Sequence, residues 1–248
     1  MTARLGPEDL QALARCSSPS LANAIETFGV RPNNRGFAGP GIRPLFPERG
    51  PMVGYACTLR IAADQPGPAS GEGPAPRAYW EYVAGSPAPR IVVVQDLDPE
   101  PVGAFWGEVN STVHKRLGCI GTVTHGGVRD IEEMRRVGFH VFASAVLVSH
   151  AYVHIAEFGT PVQLGRLRVQ PGDLIHADRH GVLVVPDEIA RDLPRVVAEI
   201  EALEGEILAR CEDPEFTPAR LAETWNSVVG RWPKSRPRSN RPASEGIP

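Results

Sequence analysis

Residues 107–130, GEVNSTVHKRLGCIGTVTHGGVRD, restrict the fold more than any other stretch of the chain. Phe105, Val109, Val113 and Leu117 recur every four residues, the spacing of one helical face. Gly118 stands where that helix must stop, because glycine tolerates the left-handed conformation of a C-terminal cap. Cys119–Val123 is a short apolar run with β-branched members and predicts a buried strand. His125-Gly126-Gly127 then forces a tight turn, and Arg129-Asp130 opens the next helix. A helix that begins near Gly107 presents free backbone N–H groups, which suit a carboxylate or phosphate. Arg129 and Asp130 sit where a strand ends, the usual ligand position in α/β folds.

The rest of the chain repeats these signals. Pro7 and Pro19 each sit at a helix start, where a missing N–H costs nothing. Met52–Ile61 and Arg90–Gln95, the latter RIVVVQ, read as strands, and Tyr79–Val83 as a short helix. Ala62–Ala78 contains QPGPASGEGPAP, which cannot bury apolar surface and predicts a mobile loop. Ile131, Met134 and Val137 continue a helix to Gly138, and Phe139–Ala143 returns as a strand. Val162, Leu164, Leu167 and Val169 flank a bend at Gly165, and Leu174–Ala177 and Val182–Val185 flank a turn. Asp187–Arg210 is apolar at helical spacing. The expected domain covers residues 1–212, followed by a Pro-rich, partly disordered tail over 213–248. Strands alternate with helices first and hairpins follow, so the expectation is one α/β domain with a mixed sheet.

Charge and cysteine usage narrow the function. A formal net charge of −3 gives no electrostatic case for nucleic acid or an anionic membrane. No apolar run is long enough to span a bilayer, and MTARLGPEDL lacks the apolar core of a signal peptide. Cys16, Cys57, Cys119 and Cys211 form no close pair, so the expectation is neither zinc knuckle nor disulfide framework but a reduced, cytoplasmic setting.

Asp130 is a hard oxygen ligand of the kind Mg²⁺ or Mn²⁺ prefers; its plainer alternative is capping the next helix. Arg129 offers a planar fork of donors for a carboxylate or enolate oxygen; alternatively it pairs with a surface acid. Glu108 is either a favourable acid at a helix N-terminus or a group that faces a metal through water. Gly107 is either a plain loop-to-helix junction or a point of close ligand approach. His125, in the glycine turn, is a candidate for proton transfer or a substrate hydrogen bond. His150 and His154 lie four apart, as on one helical face, but lack an adjacent Glu and read as structural, as do His176, Asp178 and His180.

Glu108, twenty residues, then Arg129-Asp130 is also a signature. With Gly54–Thr58, Pro171-Gly172-Asp173 and Gly181–Pro186, it makes roughly residues 17–210 resemble the family of the RraA regulator of RNase E and the 4-hydroxy-4-methyl-2-oxoglutarate aldolases. The family's usual Asp is Glu108 here, and His125 stands where an Asp commonly precedes the glycine.

The resemblance implies a swivelling β/β/α layered domain, assembled as homotrimers or hexamers with sites at subunit interfaces. It implies a Mg²⁺- or Mn²⁺-dependent pyruvate aldolase acting on a 2-oxo acid, with oxaloacetate decarboxylation as a related activity. Asp130 would hold the metal and Arg129 the pyruvyl part of the substrate. Backbone N–H groups of Gly107, Glu108, Val109 and Asn110 would take its carboxylate. A neighbouring subunit's C-terminal helix would bring an acid, for which Glu204 is the match. Two alternatives stand beside this: a regulator that binds RNase E without catalysis, and a related metal–enolate lyase acting on a sugar acid.

Overall fold

The computed structural model describes residues 4–68 and 73–233. The readings of residues 62–78 as mobile and of the chain's end as disordered fall partly outside them. Helices α1 (Pro7–Ala14) and α2 (Ser18–Glu26) open the chain, each with a proline in its first turn. Ser17 caps α2 by accepting the Ser20 N–H. β1 (Arg43–Pro44), β2 (Met52–Ala62), α3 (Pro76–Gly85) and β3 (Arg90–Asp96) follow. Next come β4 (Ala104–Trp106), α4 (Glu108–Arg116), β5 (Cys119–Thr124), β6 (Gly127–Val128), α5 (Ile131–Val137), β7 (His140–Ala143) and β8 (Ala145–Val146). β9 (His154–Phe158) precedes two hairpins, β10 (Val162–Leu164) with β11 (Leu167–Val169) and β12 (Leu174–Asp178) with β13 (Gly181–Val185). Two helices close the described chain, α6 (Leu193–Glu212) and α7 (Pro218–Arg231).

The main sheet runs β1-β7-β5-β3-β2-β12-β13, with β2, β3, β5 and β7 parallel. β3 is apolar on both faces because both are covered. Ile91 and Val93 join one core with Val123 and Phe142, while Val92 and Val94 join another with Tyr79, Trp106 and Met134. The segment 36–38 pairs with the outer edge of β13: Ala38 N–H donates to Val182 O and Val184 N–H to Gly36 O, both at 2.9 Å. The chain then crosses to β1 on the opposite edge, so the sheet nearly closes. The β10–β11 hairpin fills the interior with Val162, Leu164, Leu167 and Val169. A third core lies between β13, α1, α2 and α6. The single mixed α/β domain expected from the sequence is what the chain forms.

Four readings need correction. The stretch placed in a tail contains α7: Thr217 accepts the Arg220 N–H, Pro218 starts the helix, and Arg231 grips Glu206 of α6 at 2.5 and 2.9 Å. A proline at a helix start reads like a breaker when the partner helix is unknown. α6 begins at Leu193, not Asp187, because Pro194 is tolerated only in a first turn. His150 lies in a bend and His154 opens β9, so they share no helical face. In α4 the buried residues are Ser111 and His114, while Val109 is 75% exposed. Among the described residues no helix is long and apolar enough to cross a membrane.

Candidate active site

β4, β6 and β8 form a small parallel sheet, reached by the chain directly after β3, β5 and β7. Gly107 ends β4 and caps α4, while Arg129 and Asp130 end β6 and cap α5. Arg129 N–H donates to Trp106 O at 2.9 Å, which sets the two strand ends side by side. Asp130 adopts the left-handed conformation, φ 55° and ψ 50°, which aspartate tolerates better than most residues. Its side chain does not cap its own helix. Instead Oδ2 accepts the Glu108 N–H at 3.1 Å, on the positive end of α4. Arg129 Nε stands 3.9 Å from Asp130 Oδ1, both side chains 38% exposed. Among the described residues that is the one ion-pair contact of Arg129, and Asp130 stands at the cap position of α5 without a side-chain cap bond.

Gly107 has an extended backbone open to any residue, but its side-chain position is taken. A Cβ there would lie 2.4 Å from Asp130 Oδ2. Glu108 and Val109 are exposed on the first turn of α4. The Asn110 amide donates to Phe105 O at 2.6 Å and ties that turn to β4. The structure therefore brings Gly107, Glu108, Val109, Asn110, Arg129 and Asp130 to one edge.

His125 occupies the seam between the two sheets. Its Nδ1 accepts the Asp96 N–H at 3.3 Å, and its carbonyl accepts the Ser144 hydroxyl. Burial lowers its pKa. Asp96, missed in the sequence reading, lies at the same seam. Its Oδ1 accepts the Asp98 N–H, whereas buried Oδ2 has no described partner and faces Gly126. Burial pushes the Asp96 carboxyl up to about 6. Two further groups were not legible as site neighbours, Tyr79 and His114, hydrogen-bonded behind α4. Burial lowers the His114 pKa to about 4.

These two shifts carry opposite pH signs. Asp96 prefers the protonated form when folded, so its contribution is present at acid pH and lost as pH rises from 3.8 to about 6. His114 prefers the neutral form, so its contribution is present above 6.5 and lost as pH falls toward about 4. Asp96→Asn is therefore expected to match the parent at pH 4 and to exceed it at pH 7.5 by on the order of 2 kcal/mol. Urea unfolding at the two pH values measures this, and an equal difference at both would remove the assignment.

A family model described as RraA-like, Aldolase/RraA, matches residues 19–184. Protein DlpA of Legionella pneumophila is 26% identical over 203 residues, 81% of this chain but 31% of that protein. A putative 4-hydroxy-4-methyl-2-oxoglutarate aldolase of Halalkalibacterium halodurans is 30% identical over 147 residues, 58% of this chain and 64% of its own length. The chain thus spans less than two thirds of either relative. The crystal structure of Streptomyces coelicolor RraAS2, described as an unusual member of the RNase ES inhibitor RraA family, superposes with a TM-score of 0.65 at 23% identity, covering 83% of this chain and 98% of that one. The fold is shared with it.

Proposed function

Since this chain belongs to the Aldolase/RraA family, we propose that it is a divalent-metal-dependent carbon–carbon lyase that cleaves 4-hydroxy-2-oxo acids such as 4-hydroxy-4-methyl-2-oxoglutarate. One observation carries this reading: Asp130, in a left-handed turn, holds its carboxylate away from its own helix and beside Arg129, at the N-terminus of α4. Mg²⁺ and Mn²⁺ suit such a donor set, because they take oxygen ligands and need only one or two protein carboxylates. Among the described residues of this chain no group of three or more His, Cys, Asp and Glu side chains is placed to hold a metal. Asp130 would hold the ion directly and Glu108 would reach it through water. Bound there, the ion supplies Lewis acidity toward a keto oxygen.

The chain's own groups do the rest. The free N–H groups of Val109 and Asn110, at the positive end of α4, receive the substrate carboxylate. Arg129 donates to the oxygen that becomes negative when the C3–C4 bond breaks, and its charge favours that state over the ground state. Glu108 orients a water that takes the 4-hydroxyl proton. His125, its Nδ1 accepting the Asp96 N–H of β3, stays in this reading the candidate for proton transfer or a substrate hydrogen bond. The same water returns that proton to C3 of the enolate, pyruvate and a second carbonyl compound leave, and the same charge placement favours oxaloacetate decarboxylation. Val109, on the first turn of α4, and Val146, paired with Val128 beside Arg129, are exposed by 75% and 62% and border the pair as an apolar rim. A homotrimer or hexamer would cover such a rim, with the partner subunit's Glu204 approaching the site.

Purified protein with Mg²⁺ or Mn²⁺ should release pyruvate from 4-hydroxy-4-methyl-2-oxoglutarate or oxaloacetate, read by a lactate dehydrogenase coupled assay. EDTA should abolish release and added metal restore it. A protein that captures RNase E and releases no pyruvate from either acid would overturn this reading in favour of a regulator.

A further inference from the structure

The helix end that frames the proposed site must be held to within a fraction of an ångström, and the residues that hold it are not at the site. Asn110, in the first turn of α4, bonds forward to β4 through its side chain. Its backbone carbonyl also takes a bond of 2.7 Å from His114 Nδ1, one turn on. A carbonyl only accepts, so Nδ1 carries the proton and Nε2 of His114 is left as an acceptor. Tyr79 OH stands 2.8 Å from that Nε2 and fills it. Tyr79 belongs to α3, which begins at Pro76 inside the stretch read as a loop, and both residues are buried, at 1% exposure. Trp106, the residue before Gly107, meets the His114 ring edge-on with centroids 4.7 Å apart. Thus α4 cannot turn about its axis without breaking a bond to Tyr79 or a ring contact to the strand that delivers Gly107.

We propose that the Tyr79–His114 pair is a positioning device for the Asp130 site, holding the N-terminus of α4 so that the Glu108 N–H stays on the Asp130 carboxylate. Neither residue touches the substrate; they act through Asn110 and Glu108. The inference rests on the lyase reading for its consequence but not for its geometry.

Tyr79→Phe removes one hydroxyl and keeps the ring. Amide hydrogen exchange at Glu108 and Ser111, whose N–H groups are bonded to Asp130 and to Gly107 O, should speed up about tenfold in that variant in the full chain, with the main sheet unchanged. Its Mn²⁺ affinity should fall about tenfold, the low end for residues that support a metal ligand from behind. His114→Gln in the parent, which can both accept from Tyr79 and donate to Asn110, should keep part of the protection, and His114→Leu none. Unchanged exchange at Glu108 and Ser111, or a uniform increase across the sheet, would overturn the proposal, the second by showing a purely global role. If the parent protein binds no Mn²⁺ and releases no pyruvate, the lyase reading fails, while the exchange pattern still decides whether the pair positions α4.

Discussion

Asp130→Asn is expected to lower pyruvate release by on the order of a thousandfold while leaving the fold intact. Asparagine tolerates the left-handed backbone at least as well as aspartate, so φ 55° does not become a cost. Its amide can still accept the Glu108 N–H through its oxygen, so the link across 3.1 Å survives. What disappears is the negative charge. A hard divalent cation then loses its direct anionic ligand, and several kcal/mol of transition-state stabilisation go with it. Steady-state kinetics over a Mn²⁺ titration, with thermal melting alongside, separate the two effects. Pyruvate release within about tenfold of the parent at saturating metal would remove Asp130 from the metal site.

Gly107→Ala is expected to cost about a hundredfold in kcat/KM with little change in stability. The backbone there is extended, at φ −163° and ψ −165°, so alanine meets no conformational penalty. Its methyl group, however, would lie 2.4 Å from Asp130 Oδ2 and 3.2 Å from Cγ, so the carboxylate must move. A displacement near 1 Å is enough for a loss of that size, because the group must be placed as well as present. The clash predicts non-additivity. In the double variant Gly107→Ala with Asp130→Ala the methyl has nothing to displace, so it should be no less active than Asp130→Ala alone. Losses that simply multiplied would show that Gly107 acts through something other than the carboxylate.

The main sheet was readable from the sequence because its signals are local. RIVVVQ announces a strand covered on both faces, and burial of Val92 and Val93 confirms it. Gly118 and Gly138 mark helix ends and do take positive φ. Other features were hidden because they depend on what lies opposite. The Phe105–Leu117 apolar spacing pointed to one buried face, yet α4 buries Ser111 and His114, the latter because Tyr79 and Trp106 supply it with a hydrogen bond and a ring contact. α7 was masked by its own proline and by a partner, Glu206, that lies 25 residues upstream of Arg231.

By itself the sequence determined that residues 107–124 form a helix and then a strand, that a glycine-rich turn leads to the helix after Asp130, and that Glu108, Arg129 and Asp130 fall at the ends of elements, though it missed the short strand β6. Periodicity and turn chemistry act between neighbours, so they need no knowledge of the fold. Only the tertiary structure decided that Asp130 turns from its own helix to the N-terminus of α4, and that a side chain at Gly107 would displace that carboxylate. Those outcomes depend on two strand ends, β4 and β6, being set side by side by a hydrogen bond between Trp106 and Arg129, and a contact across that distance in sequence leaves no periodic trace.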